Sequence, residues 1–208
     1  MQMNGTMGGI YKVCEWLMRL AYLNLIWLGF SIIGLFILGL FPATIAMFVI
    51  VRKMLMGDDD IPIFKTFWAS FKKEFIKSNL LGLTFLLVGY ILYVNIQFLG
   101  STAGLFSLLY YPTLLLGLGI ILTSLYVFPV YVHYDISLPQ IIKHSILIML
   151  MNPISTVLKV MGAFAVYLLM TSIPGLIPLF SGSALALVIM WASFLAFTRI
   201  ERSHQSAA

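Results

Sequence analysis

The chain has 208 residues, of which 62% are hydrophobic and only 9% are charged, and its mean hydropathy is +1.05. A globular domain carries about 25% charged residues, and a protein of this size cannot bury so much apolar surface in one core. The composition therefore excludes a soluble globular protein. The net charge of +5 indicates basic residues at the cytoplasmic face of a membrane rather than a nucleic-acid partner.

The first two spans are predicted from one long apolar run. Residues 1–19 precede it and are expected to be retained, because the run is too long for a signal peptide. Leu20–Val51 has 32 uncharged residues and would be about 48 Å long as one helix, more than a hydrocarbon core of about 30 Å. We predict a first span over Leu20–Leu40 and a short second span over Phe41–Met56. Pro42 is expected to begin the second helix, since proline suits a first turn.

An amphipathic segment rich in aromatic and lysine residues follows the second span. On a helical wheel its aromatic rings fall within an arc of about 100°, and its lysines lie at the edge or opposite. This pattern is typical of a helix in the membrane interface, with rings among acyl chains and ammonium groups toward anionic headgroups. The alternative is that the stripe packs on neighbouring spans as core. The predicted interfacial residues are Phe64, Phe67, Trp68, Phe71, Phe75, Lys72 and Lys73.

Four further spans and a second interfacial segment complete the chain. Ser137 and Gln140 have the spacing of a capping box, so a helix is predicted to begin there, and Asn152-Pro153 is expected to end it. The chain thus contains two runs of span, interfacial helix and span, which suggests an internal duplication of the kind found in transporters. The four spans are Leu80–Leu99, Leu108–Val130, Ile154–Ser172 and Ala184–Phe197.

The distribution of charge favours six spans over the alternative of five. With six spans, all 12 Lys and Arg residues lie at or near the cytoplasmic face, whereas five spans would move Lys12 and Arg19 outside. Lys159, near the cytoplasmic end of the fifth span, is expected to snorkel to the interface. We predict an all-α polytopic membrane protein with about six transmembrane helices, two cytoplasmic-side interfacial amphipathic helices, a single domain over residues 1–208 and cytoplasmic termini.

Motifs of known catalytic sites do not occur. The sequence has no G-x-S-x-G, H-E-x-x-H or Gly-Lys-Ser/Thr pattern, so we predict no enzyme activity, no catalytic residue and no cofactor. His133, Asp135 and His144 are suitable metal ligands by type, but their spacing matches no metal motif, and no metal is predicted. Uncharged polar residues in the spans are expected to join helices by hydrogen bonds. They are Asn24, Ser31, Thr44, Thr84, Asn95, Gln97, Thr113, Thr123, Ser124 and Thr171.

The order of these features also indicates a family. The residues that carry the resemblance are Asn24, Trp27, Pro42-Ala43-Thr44, Ala46, Arg52-Lys53, Phe67, Phe71, Phe75 and Asn79. They resemble the YesL-like family of bacterial integral membrane proteins, a group defined by a domain of unknown function. Relatives often place glycine before the turn proline and a further proline in the first span, whereas here Phe41 precedes Pro42 and the span carries Ile32-Ile33-Gly34.

The resemblance implies a place in the bacterial cytoplasmic membrane and a context for function. Genes of this family often lie beside carbohydrate-uptake transporters and polysaccharide-degrading enzymes. We therefore expect an accessory or permease-like component associated with carbohydrate uptake, in contact with the lipid bilayer and with a carbohydrate transporter complex. A self-contained small-molecule transporter or channel is the alternative.

Overall fold

The structure is helical nearly throughout. A computed structural model of the chain describes residues 6–58, 60–102 and 105–205, and these ranges contain no strand. Six helices in this part of the chain are long and apolar enough to cross a membrane, which confirms the predicted all-α polytopic fold. The α-helices are α1 (Thr6–Ile33), α2 (Ile37–Leu55), α3 (Ile63–Ser101), α4 (Tyr110–His133), α5 (Leu138–Met151), α6 (Pro153–Ser172) and α7 (Ile177–Gln205), with 3-10 helices at Leu105–Leu109 and Pro174–Leu176.

The turn between α1 and α2 lies nearer the N-terminus than predicted. Pro42 lies inside α2 instead of starting it, so that prediction was wrong. The reversal occurs where Gly34 and Gly39 bring their backbones together: a Cβ atom on Gly39 would lie 2.8 Å from the Cα of Gly34. Leu35 and Phe36 between them have φ angles of 58° and 60°, a left-handed conformation that L-residues rarely adopt. The close approach of the two glycines thus places the turn.

The first amphipathic segment belongs to a long helix rather than to a separate one. α3 has 39 residues without a break and is about 58 Å long. Since only residues 56–62 connect it to α2, its first half packs antiparallel against that helix. The second amphipathic segment is a separate helix, α5, whose capping box is formed: the Ser137 N–H donates to Gln140 Oε1 at 3.1 Å. The two runs that suggested a duplication therefore differ in architecture.

A side chain of α3 completes the hydrogen bonding of α2 at its internal proline. Pro42 has no N–H and cannot donate to the carbonyl of Leu38 four residues earlier. Asn79 Nδ2 donates to that carbonyl at 3.0 Å and also to the Phe75 carbonyl at 2.8 Å. An unpaired carbonyl in lipid is costly, so Asn79 both satisfies α2 and fixes α3 beside it.

This arrangement predicts that the effects of changes at Pro42 and Asn79 are coupled. Asn79→Ala should lower the free energy of unfolding by about 1 kcal/mol, because it leaves the Leu38 carbonyl unpaired. In a Pro42→Ala background the new N–H can donate to that carbonyl, so Asn79→Ala should cost less, with a coupling energy of about 0.5–1 kcal/mol. Chemical unfolding of the four proteins in mixed micelles measures this cycle. Strictly additive effects would contradict the assigned role.

Two clusters of buried apolar side chains hold the helices together. One lies between α1, α2, the first half of α3 and α7, and includes Phe30, Met47 and Phe67. The other lies between α3, α4, α5 and α7, and includes Tyr126 and Phe197. The end of α4 packs against both clusters and, together with the connection to α5, lines a polar cavity.

Candidate functional site

A polar cavity of about 560 Å³ lies where α2 and α4 end. The lysine-bearing part of α3, the connection between α4 and α5 and the start of α5 complete its wall. This space is called the polar cavity below. Its charged lining residues are Arg52, Lys73, Glu74, Lys77 and Asp135, so the cavity gathers charge from three separate elements.

Glu74 is the best-anchored charge in the polar cavity. The Tyr131 hydroxyl donates to Glu74 Oε2 at 2.5 Å, and Lys73 Nζ lies 3.8 Å from Glu74 Oε1. The lysine side chain is largely exposed, so this ion pair contributes little. The short hydrogen bond from Tyr131 orients the carboxylate and ties α3 to α4. Glu74 therefore forms part of the cavity wall, and each of its carboxylate oxygens already has a neighbouring donor, Tyr131 or Lys73.

Arg52 lies in the last turn of α2, where the helix dipole favours a cation. The carbonyl oxygens at this helix end are already paired: Met56 N–H donates to the Arg52 carbonyl at 3.0 Å, and the Gly57 and Asp58 amides also donate to the last turn. The Arg52 Nε atom is buried and has no hydrogen-bond acceptor among the residues that the structure describes. A buried donor of this kind is uncommon in folded proteins.

The histidines considered as metal ligands are instead packed against rings. His133 stacks on Phe197 with ring centroids 4.4 Å apart, and His144 stacks on Tyr134 at 6.4 Å. Across the three described ranges, no three His, Cys, Asp or Glu side chains are placed together as metal ligands would be. Ring packing thus accounts for the position of His133, whereas His144 is exposed at the surface.

The seven predicted interfacial residues divide between core and surface. Phe67 and Phe71 are buried, and each packs against Phe30 of α1 with centroids 5.1 Å apart. Phe75 is partly buried, whereas the other four residues, Phe64, Trp68, Lys72 and Lys73, are exposed at the protein surface. Lys72 Nζ lies 4.7 Å from the Trp68 ring centroid, a favourable cation–π distance. The core alternative therefore holds for two of the rings, and the interfacial role of the exposed residues remains a prediction.

A second, apolar cavity of about 540 Å³ lies between α1, α2, α4 and α7. Phe48 and Phe128 form part of its wall and stack with centroids 5.6 Å apart at 14°. One turn further along the same two helices, Arg52 and Val132 line the polar cavity. The same two helices therefore border two spaces of opposite character, and the stacked rings line the apolar one.

The polar residues of the spans contribute to packing less uniformly than predicted. Asn24, Thr44 and Thr123 do join helices: Thr44 accepts from Trp27 Nε1 at 3.1 Å, and Thr123 lies 3.5 Å from Met149 Sδ. For six others the prediction was wrong, because each donates to a carbonyl only three or four residues earlier in the chain. Gln97 is exposed at the surface. The six are Ser31, Thr84, Asn95, Thr113, Ser124 and Thr171.

Asn24 makes the most extensive of these connections. Its side chain is completely buried, and its Nδ2 donates to the Pro178 carbonyl at 2.8 Å. Its Oδ1 accepts from the amides of Gly182 and Ser183 at 2.9 and 3.0 Å. A Cβ atom on Gly182 would lie 3.1 Å from Asn24 Oδ1, so the glycine is what allows the approach. One amide side chain thus joins α1 to the start of α7.

The structure also corrects the expectation for Lys159. This side chain is 0% exposed and does not snorkel to an interface. Its Nζ donates to the Leu125 carbonyl at 3.3 Å and lies 2.9 Å from the Tyr126 ring centroid. The Tyr126 hydroxyl in turn pairs with Thr156 Oγ1 at 2.8 Å. The sequence shows how near Lys159 is to a helix end but not which face α4 covers, and this is why the expectation failed.

Comparison with known proteins identifies similar chains in Bacillus subtilis (strain 168). Residues 20–96 match the family model described as "Protein of unknown function, DUF624". The chain is 38% identical over 200 residues to "Uncharacterized protein YesV", covering 95% of this chain and 96% of YesV. It is 34% identical to "Uncharacterized protein YteU" over 97% of this chain and 91% of YteU, and 34% identical to "Uncharacterized protein YesL" over 95% and 93%. No solved structure matches.

Proposed function

Because this membrane protein belongs to the DUF624 family, we propose that it is an accessory component associated with carbohydrate uptake. Its place is the bacterial cytoplasmic membrane, where it contacts a carbohydrate transporter complex. The genetic association implied by the family resemblance supports the carbohydrate context. The surface of α3 supports a role in contacting a partner.

The observation that carries this proposal is the exposed face of the first half of α3. Lys65, Lys72, Lys73 and Lys77 are all exposed there, and we call them the lysine face. The opposite side of the same helix is held rigidly, because Phe67 is completely buried in the core. A charged surface on an immobilised helix loses little conformational entropy when a partner binds, and such preorganisation favours association.

Affinity purification from the native membrane tests the proposal. We expect a carbohydrate transporter subunit to be retained, and the double change Lys65→Glu and Lys72→Glu to reduce its recovery about tenfold, since reversed charges weaken an electrostatically matched contact. Lys143→Glu is the control, because Lys143 is an exposed lysine on α5, away from the lysine face. Mass spectrometry of the retained proteins gives the readout. Absence of any transporter subunit from the wild-type sample would refute the accessory role.

The proposed orientation has a separate test. We place both termini in the cytoplasm, because the lysine face and the basic residues at the end of α2 then share the cytoplasmic side. Reporter fusions at the two ends should therefore report the same, cytoplasmic, compartment. Ends in opposite compartments would rule out this arrangement.

A self-contained transporter is the second candidate, and the paired cavities favour it. The apolar and polar cavities both border α2 and α4, and the Phe48–Phe128 stack lines the apolar one. A passage between the two spaces would require these rings to move. Purified protein in liposomes should then transport solute, and Phe48→Ala should raise the flux. Liposomes that move no sugar, with or without this change, would leave the accessory role as the favoured function.

A further inference from the structure

The charges of the polar cavity are not balanced once its internal contacts are considered. Glu74 is engaged by the Tyr131 hydroxyl and lies beside Lys73. Counted together, the charged lining residues are three cations, Arg52, Lys73 and Lys77, against the two carboxylates of Glu74 and Asp135. An anion that enters this space would therefore meet net positive charge.

The Arg52 side chain is partly buried and lines the cavity. No carboxylate or carbonyl of the described residues accepts from its Nε–H, so this group does not tie the guanidinium to an internal partner. The fork of N–H groups on arginine matches the oxygens of phosphate in pairs. Arg52 is therefore better suited to bind a tetrahedral or planar oxyanion than a halide.

From this charge and geometry, we propose that the polar cavity binds the phosphate group of an anionic small molecule or lipid headgroup. Arg52 is the main contact and Lys77 the second cation. The volume of about 560 Å³ lies within the range of about 300–1,000 Å³ that is usual for small-molecule sites. It accommodates a phosphate together with an attached group of the size of a sugar or glycerol. The proposal rests on the cavity itself and not on the proposed transporter contact, although Lys73 and Lys77 belong to both the cavity lining and the lysine face.

Binding measurements on the full chain distinguish the two sources of phosphate. Inorganic phosphate and glucose 6-phosphate are the soluble probes, titrated calorimetrically against protein in a neutral detergent. Nanodiscs of phosphatidylcholine with or without phosphatidylglycerol are the lipid probes, with lipid retention measured by native mass spectrometry. Saturable binding of a soluble probe identifies a solute site, and retention of phosphatidylglycerol alone identifies a headgroup site. Either result supports the proposal if it depends on Arg52.

The variants are chosen to separate a built site from diffuse surface charge. Arg52→Gln should weaken binding of the effective probe ten- to hundredfold, and Lys77→Gln about tenfold, as expected for lost charge-assisted contacts. Lys65→Gln is the matched control: Lys65 is an exposed lysine of the same helix outside the cavity lining, and its loss should change binding less than about twofold, as expected for a screened surface charge.

Arg52→Lys keeps the charge but loses the guanidinium fork, so it should bind more weakly than wild type and more tightly than Arg52→Gln. If Arg52→Gln does not fold, the binding affinities of Arg52→Lys and Lys77→Gln test the proposal in its place. Binding of neither class of probe to the wild-type protein would overturn the proposal. So would a loss on Lys65→Gln equal to the loss on Lys77→Gln, since charge alone would then explain the effect.

Discussion

Phe67→Asp is expected to abolish accumulation of folded protein. The Phe67 side chain is 0% exposed and packs in the cluster between α1, α2, α3 and α7. Removing a buried phenyl ring costs about 3–5 kcal/mol, and a carboxylate without a partner in the same space adds a desolvation cost. This sum is comparable to the whole stability of a typical protein, about 5–15 kcal/mol. Fluorescence-detected size-exclusion chromatography of a tagged protein measures the folded fraction.

Phe64→Asp is the control for this experiment, since it makes the same substitution one turn away. Phe64 is 54% exposed, so its change places no charge in the core and should leave a monodisperse peak, with a much smaller loss of stability than Phe67→Asp. Equal loss of folded protein from both variants would show that the two sides of the stripe are not distinguished by burial. Phe67→Leu should retain the fold because it keeps an apolar group in the core.

Asn24→Leu should produce the next largest loss. The substitution removes one donor and one acceptor that together engage three backbone groups of α7. Losing these three hydrogen bonds between α1 and α7 should lower the free energy of unfolding by about 2–4 kcal/mol, given that hydrogen bonds between membrane helices contribute less than isolated estimates suggest. Asn24→Asp should also destabilise, because its carboxylate oxygen would face the Pro178 carbonyl in place of the amide donor. Unfolding in mixed micelles gives the comparison.

Asn95→Leu is the matched control for Asn24→Leu. Asn95 is exposed, and its Nδ2 donates at 2.8 Å to the Ile91 carbonyl of its own helix. Its loss should change the free energy of unfolding by less than about 0.5 kcal/mol, as for an ordinary surface position. A similar cost at Asn24 and Asn95 would mean that the α1–α7 connection is not a major source of stability.

The residues that carry the family resemblance acquire a physical role from these contacts. Asn24 joins α1 to α7, Trp27 donates to Thr44 across α1 and α2, and Asn79 pairs with α2 at the Pro42 gap. All of them lie within the region 20–96 that matches the DUF624 family model. The motif therefore specifies how the first three helices are fixed to one another and to the last.

Arg52, Lys77 and Asp135 show why the cavity could not be found from the sequence. Each follows a local rule: Arg52 ends a helix, Lys77 belongs to an amphipathic stripe, and Asp135 lies in a short connection. Nothing in these local patterns indicates that the three residues line one space. The burial of Arg52 Nε without a hydrogen-bond partner results from how the surrounding helices pack, and the local sequence does not indicate it.

Composition and the lengths of the apolar runs were sufficient to predict a helical membrane protein, and the distribution of charge favoured six spans over five. A bilayer constrains backbone hydrogen bonding and span length so strongly that local hydropathy decides the class of fold. The tertiary structure alone decided the turn at Gly34 and Gly39, the burial of Lys159 and the joining of the amphipathic segment to the following span. These features depend on which helix faces come together. Partners such as Asn24 and Pro178 are 154 residues apart, and only close packing in three dimensions selects them.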